Sequence, residues 1–185
     1  MALMHGGMKH MAAGWEKSKK WADKYVPEIK QVVRQVAGEI IEVRIADQDK
    51  DQHEATDYIV EISSGDIACR VRDQYFWRFG DFTLRYSRPS GNQTELEKIK
   101  KGYARWYLYA WDKRFTGKFT AWVFVDLDKL RNSGLLDRPR RIIPNGDGSS
   151  SFVYISLVEL WQHGCITEAN EAASMRILER LSESS

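Results

Sequence analysis

The chain has 185 residues, 43% of them hydrophobic and 29% charged, with a formal net charge of +2. That balance suits one globular domain with its own core and excludes a disordered or collagen-like chain. No apolar run approaches the ~18 residues of a membrane span. The only two cysteines, Cys69 and Cys165, have neither CxxC nor zinc spacing and read as reduced, buried thiols.

The opening MALMHGGMKHM lacks the apolar stretch of a secretory signal, so residues 1–14 read as a disordered tail and 15–181 as a single domain of a cytoplasmic protein. Trp21, Tyr25, Ile29, Val32, Val33 and Val36 recur at helical spacing, predicting a helix over 16–37 that Pro27 kinks or restarts and Gly38 ends. Ile41, Val43 and Ile45 then alternate with Glu42 and Arg44, as an extra strand or an extended exit. The run DYIVEISSGDIACRVRD predicts a hairpin of strands 56–62 and 67–73 about Ser63-Ser64-Gly65-Asp66. Tyr58, Val60 and Ile62 share its apolar face with Ile67, Cys69 and Val71. After a loop over 74–80, residues 81–87 read as a third strand of the same sheet, adding Phe82, Leu84 and Tyr86.

Thr94, with Glu97 three residues on, forms a capping box that opens a predicted helix over 94–111. Leu96, Ile99, Tyr103, Trp106 or Tyr107, and Ala110 make its buried stripe, while Lys98, Lys101 and Arg105 lie together on another side. Residues 119–127 read as a buried strand carrying Val123 and Val125 into the core. A hairpin follows about Asn145-Gly146-Asp147-Gly148, then a short helix at 157–161 and an amphipathic helix over 168–181.

Charge is segregated. Between Glu39 and Cys69 stand nine acids against two bases, and between Lys98 and Arg141 twelve bases against four acids. Lys98, Lys101, Arg105, Lys113 and Arg114 suit a phosphate backbone, with Lys118, Arg138, Arg140 and Arg141 extending the stripe. The same bases also read as an ordinary solvated helix face.

The order α-β-β-β-α-β over 16–127, and the run FTLRYSRPSGNQTELEKIKKGYARWYLYAW within it, resemble the core of the PD-(D/E)XK, restriction-endonuclease-like nuclease superfamily. The resemblance implies an α+β fold with a mixed sheet flanked by helices, here followed by the C-terminal hairpin and helix. It also implies a nucleic-acid partner, DNA ahead of RNA, and a phage or mobile-element setting. In active members an aspartate on the second strand and an acid-x-Lys triplet on the third hold Mg²⁺. The acids ligate the ion, and the lysine positions the attacking water.

Two registers can be tried. With 81–87 as the third strand, the triplet is Thr83-Leu84-Arg85 and the acid Asp66. With 39–45 as the first strand, the triplet is Arg70-Val71-Arg72 and the acid Asp57. Neither triplet begins with an acid, and arginine stays protonated where lysine can be neutral. The resemblance therefore leaves two outcomes. In one, a Mg²⁺-dependent phosphodiesterase has moved its metal ligands to Asp57, Asp81 and Glu95, with Arg70, Arg72 and Arg85 holding the scissile phosphate. In the other, a binding module keeps the fold without a metal site.

The same charges also read as a ladder with no chemistry. Symmetric pairing sets Asp57, Arg72 and Asp81 in one row and Glu61, Ala68 and Arg85 in another, each exposed pair contributing ~0.2–1 kcal/mol. Asp47-x-Asp49-x-Asp51 lacks the glycine and closing glutamate of a calcium loop. The histidines are scattered, and no P-loop, GxSxG or GxGxxG is present.

Overall fold

The computed structural model describes residues 20–21, 23–37, 40–45, 58–62, 65–87, 91, 93–137, 142–146 and 150–183. Helix α1, Val26–Ala37, begins at the turn where Pro27 stands, since a residue without an N–H costs nothing in a first helical turn. Strands β1 (Ile40–Ile45), β2 (Tyr58–Ile62) and β3 (Gly65–Arg72) form an antiparallel meander. A 3₁₀ turn, Gln74–Phe79, leads into β4, Asp81–Ser87. Helix α2 is Glu95–Lys100, followed by β5 (Trp106–Asp112) and β6 (Phe119–Asp126). Helix α3 (Leu127–Asn132), strands β7 (Ile142–Pro144) and β8 (Ser151–Ser156), helix α4 (Leu157–Gln162), strand β9 (Ile166–Ala169) and helix α5 (Glu171–Glu183) complete the chain.

The fold is α+β. Six strands form one sheet in the order β1-β2-β3-β5-β6-β9, and β4-β8-β7 form a second. Every neighbouring pair in the large sheet is antiparallel except β3 and β5. One face of that sheet takes α1: Tyr25, Ile29, Val32 and Val33 bury against Ile67, Cys69, Val71, Leu108, Ala110 and Phe124. The other face carries Tyr107, Tyr109, Trp111, Val123 and Val125. It packs against Phe82, Leu84, Val153 and Ile155 of the second sheet and against the apolar sides of α2 to α5. Both faces of β5 and β6 are thus covered, and both cysteines are buried thiols outside any disulfide.

Counting only the strands of the large sheet, the α-β-β-β-α-β order is present, but different residues build it. The meander runs through β1, β2 and β3, whereas 81–87 leaves that sheet and pairs with β8. In the register of β2 and β3, Ile62 pairs with Gly65, and Glu61 with Asp66 instead of Ala68. A shift of two residues preserves the faces and breaks the expected ladder.

The helix expected over 94–111 stops at Lys100. Gly102 then adopts φ 91° and Ala104 φ 53°, left-handed conformations that no helix continues through. Trp106–Asp112 becomes a strand with both faces buried, so its sequence is apolar throughout and shows no alternation. Of the expected core, Cys69, Val71, Phe82, Leu84, Ile99, Val123 and Val125 are buried, while Tyr103 and Trp106 are half-buried. Tyr58 and Val60 lie on β2. At the C-terminus, β9 takes residues 166–169, and Asn170 caps α5 by accepting from the Ala173 N–H at 3.2 Å. No helix among the described residues is long and apolar enough to cross a membrane.

Gly117, in the β5–β6 turn, has φ +78°, and a Cβ there would stand 2.7 Å from the Lys24 carbonyl oxygen. Gly117→Ala should cost ~1–2 kcal/mol from the left-handed backbone alone, and more from the clash. Urea unfolding of the variant beside the parent protein measures it.

Candidate functional site

Strand periodicity places Arg70 and Arg72 on the β3 face turned toward the second sheet. Their partners in the parallel register are Tyr109 and Trp111 of β5. The crossover between these strands brings β4 and the first turn of α2 over the same face. Glu95, 2% exposed, accepts from Arg70 Nη1 at 2.6 Å, from the Arg85 backbone N–H at 3.1 Å and from the Tyr107 hydroxyl. Both carboxylate oxygens are therefore engaged, and the charge is matched by a guanidinium. Arg72 donates from Nη1 to Thr83 Oγ1 at 2.9 Å, and Thr83 Oγ1 lies 2.7 Å from the Tyr109 hydroxyl. The Arg70 and Arg85 guanidinium carbons stand 6.0 and 5.6 Å from the Phe152 ring centre.

Glu95 and Asp81 are not placed to share one Mg²⁺. Glu95 is fixed against the Arg85 N–H, four residues along β4 from Asp81, roughly 13 Å of strand. An aspartate cannot reach across that span to an ion that Glu95 also ligates at ~2.0–2.1 Å. Asp57 lies outside the described residues. Among the described residues no three His, Cys, Asp or Glu side chains converge. The structure thus gathers Arg70, Glu95 and the Arg85 backbone in one set of contacts, holds Arg72 on Thr83 beside it, and places Asp81 with Arg72 and Thr83 in the lining of a neighbouring cavity.

That cavity, of about 340 Å³, lies beside the 3₁₀ turn. Asp73 opens the turn by accepting from the Tyr75 N–H at 2.7 Å, and Gly80 closes it at φ 64°. Trp77 turns inward, its ring 4.8 Å from that of Trp111. Tyr75, Phe76 and Phe79 turn outward, at 57, 39 and 43% exposure. Arg78 lies over the Tyr75 and Phe79 rings at 3.7 and 4.7 Å, and Arg72 over Phe76 at 4.3 Å. Arg72, Asp81, Thr83, Tyr109 and Tyr154 supply the polar lining, and Phe76, Phe79 and Ile143 are among the apolar walls.

The expected basic stripe is split. Lys98 is 4% exposed, because α2 lays it with Leu96 and Ile99 into the protein, so it cannot join a phosphate-facing surface. Lys101 and Arg105 are exposed near the start of β5, where Arg105 Nε lies 3.9 Å from Asp128. Lys113 and Arg114 are exposed beyond its end. The eight residues from Arg105 to Lys113 span ~26 Å of strand, where a helix would have held such bases on one side. Arg138, Arg140 and Arg141 lie outside the described residues. Lys118 pairs with Glu28 at 2.6 Å.

At the far end of β5, one buried carboxylate organises two surface turns. Asp112 accepts from the Gln74 N–H of the 3₁₀ turn and, at 2.8 Å, from the Phe115 N–H of the β5–β6 turn. It also accepts from the Tyr25 hydroxyl at 3.3 Å. Burial first, and then the Asp112 charge, hold the Tyr25 phenol well above its ordinary range, so it stays a donor. In the β5–β6 turn Arg114 and Phe115 have φ 51° and 60°, and the Thr116 N–H reaches the Lys113 carbonyl at 3.1 Å. Two consecutive positive φ values with that bond are the signature of a type I′ turn, normally a place for Asn-Gly. Here the strained positions display an arginine and a phenylalanine, both exposed.

The 3₁₀ turn is missing from the sequence-based site. Its signal was four aromatics in the five residues 75–79, bracketed by Asp73 and Gly80. In comparisons with known proteins, no family model, curated protein or solved structure matches this chain.

Glu95→Ala removes the buried carboxylate that faces the part-buried Arg70 and accepts from Tyr107 and the Arg85 N–H, and should destabilise the protein by ~3–5 kcal/mol. At ~2–4 °C per kcal/mol for a domain of this size, the melting temperature falls by roughly 10 °C. Calorimetry with and without Mg²⁺ checks this: the parent protein should show the same midpoint in both.

Proposed function

We propose that this chain is a nucleic-acid-binding module that contacts its ligand at the end of the sheet where β3 and β5 finish. One observation carries the reading: Asp112 ties an aromatic turn, which bears Arg78 and lays Phe76 against Arg72 of β3, to a basic turn bearing Lys113 and Arg114. Guanidinium and ammonium groups attract phosphates, and exposed rings stack on bases. Tyr75, Phe76, Phe79 and Phe115 are exposed large apolar residues at one end of a strand pair, and arginines lie over three of those rings.

The module holds nucleic acid without cutting it through Glu95. That carboxylate is neutralised by Arg70 and satisfied by Tyr107 and the Arg85 N–H, so it offers no vacant oxygen to a cation. The PD-(D/E)XK resemblance supports the partner class, and the Arg70–Glu95 pair supports binding over metal-dependent hydrolysis.

Neutralising the basic turn, Lys113→Gln with Arg114→Gln, should weaken binding to a labelled single strand. It should also lower the slope of log affinity against log salt by ~1.4, about 0.7 for each phosphate that is no longer neutralised. Lys101→Gln with Arg105→Gln, at the other end of β5, should change affinity less than about twofold. Fluorescence anisotropy from low to moderate salt reads both. Absence of binding by the parent protein at low salt ends the proposal, and Mg²⁺- or Mn²⁺-dependent cleavage by the parent protein that Glu95→Gln abolishes ends its non-catalytic half.

A further inference from the structure

Resting on that nucleic-acid reading, we infer that the cavity beside the 3₁₀ turn receives the end of a strand, seating a terminal phosphate monoester on Arg72, Thr83, Tyr109 and Tyr154. The lining holds more hydrogen-bond donors than it has acceptors for. Arg72 donates one N–H, from Nη1, to Thr83 Oγ1 at 2.9 Å, and the rest of its fork stays unspent among the described residues. Thr83 Oγ1 lies 2.7 Å from the Tyr109 hydroxyl oxygen, which also accepts from the Thr83 backbone N–H at 3.3 Å. One hydroxyl proton is used between these two side chains. Whichever residue donates it, the other hydroxyl proton has no acceptor among the described residues. Thr83 and Tyr109 are 5 and 1% exposed, so bulk water does not supply that acceptor, and the cavity they line can. Tyr154 adds a third hydroxyl. It is the cross-strand neighbour of Thr83, lines the same cavity, and has no hydrogen bond to a described residue.

An anion rich in acceptor oxygens completes this set. Arg72 makes no ion pair among the described residues, since Glu95 is taken by Arg70. Its guanidinium is fixed between two wall residues, bonded to Thr83 and 4.3 Å from the Phe76 ring centre, so its place is set before a ligand arrives. A guanidinium with hydroxyls from three neighbouring strands matches the geometry and charge of a phosphate. Asp81 lines the cavity too, two residues along β4 from Thr83. Burial and the Arg180 charge lower the Arg176 pKa, and the Asp81 charge opposes them, so this carboxylate acts on a cation of α5. The phosphate therefore belongs at the Thr83 end of the lining, with the donors.

A strand end fits better than a strand interior. A terminal monoester carries about −1.5 to −2 charge at neutral pH and three acceptor oxygens, and a diester within a strand has less of both. The chain also leaves a terminal phosphate on one side only, so it can enter a closed-ended space. The volume of about 340 Å³ is at the low end of the ~300–1,000 Å³ typical of small-ligand sites, room for one terminal nucleotide. Phe76 and Phe79 line the cavity and are also exposed, so aromatic surface continues outward for the bases that follow.

The experiment uses the full chain and short dT strands with an internal fluorescent label. They end in a 5′-phosphate, in a 3′-phosphate or in hydroxyls only, and thymidine 5′- and 3′-monophosphate serve as competitors. At moderate salt at least one phosphorylated strand should bind about tenfold tighter than the hydroxyl strand, the yield of a charge-assisted hydrogen bond. The end that gains is the end that enters. Excess of the matching monophosphate should bring that strand down to the affinity of the hydroxyl strand. Arg72→Gln should remove the gain. Tyr154→Phe, which deletes one donor and keeps the ring, should lower it about threefold. Asp81→Asn should preserve or raise it, because negative charge leaves the lining. Lys113→Gln with Arg114→Gln should weaken all three strands and leave the gain in place. Equal affinity for all three ends, or a gain that survives Arg72→Gln, overturns the inference and leaves the nucleic-acid reading standing. So does a gain that Asp81→Asn abolishes. A monophosphate that binds more tightly than the strand overturns the assignment to a strand. If no strand binds at low salt, the nucleic-acid reading has failed and this inference falls with it.

Discussion

The parallel pairing of β3 with β5 is the constraint from which the rest of the structure follows. Parallel neighbours cannot be joined by a tight turn, so the chain must leave the sheet after Arg72 and return at Trp106. Much of the candidate site travels in that excursion: the aromatic 3₁₀ turn, β4 with Asp81, Thr83 and Arg85, and the first turn of α2 with Glu95. Parallel strands also finish at the same end. The exit from β3 and the turn after β5 are therefore neighbours, and Asp112 can hold both. Burial on two faces secures the pair, with α1 on one side and the second sheet on the other.

Placing two arginines on the inner part of such a sheet has an electrostatic cost, which Glu95 offsets. A buried ion pair adds little net stability compared with apolar packing, yet removing one partner is expensive. The Arg70–Glu95 contact acts here as a registry device, because Glu95 also accepts from the β4 backbone and from Tyr107. One carboxylate thereby fixes β3, β4, β5 and α2 relative to one another. Arg72, two residues on, is held by neutral hydroxyls, and it carries positive charge into the cavity wall.

Local signals were legible in the sequence and long-range ones were not. The capping box at Thr94, the restart at Pro27, the hairpin after Tyr58 and the buried strand at Phe119 depend on residues close together in the chain, and all are present. The strand Trp106–Asp112 was hidden because burial on both faces removes the alternation that marks a strand, leaving Lys98, Lys101 and Arg105 to suggest a helix. The departure of β4 from the meander was hidden because its partner, β8, is far along the chain. Of the site, Arg70, Arg72, Arg85 and Glu95 were identified from the nuclease-like resemblance and the registers tried for it. Glu95 does meet Arg70 and the Arg85 backbone, while Arg72 bonds Thr83. Glu95 emerges as a counter-ion instead of a metal ligand, since which group neutralises which depends on a crossover that no local pattern reports.

The central claim is that ligand binds where β3 and β5 end, and hydrogen–deuterium exchange with and without a single strand tests it most directly. The account expects slowed exchange in peptides covering 73–83 and 112–118, with 98–106 unchanged. Slowing confined to 98–106, or spread evenly over the described residues, would contradict it.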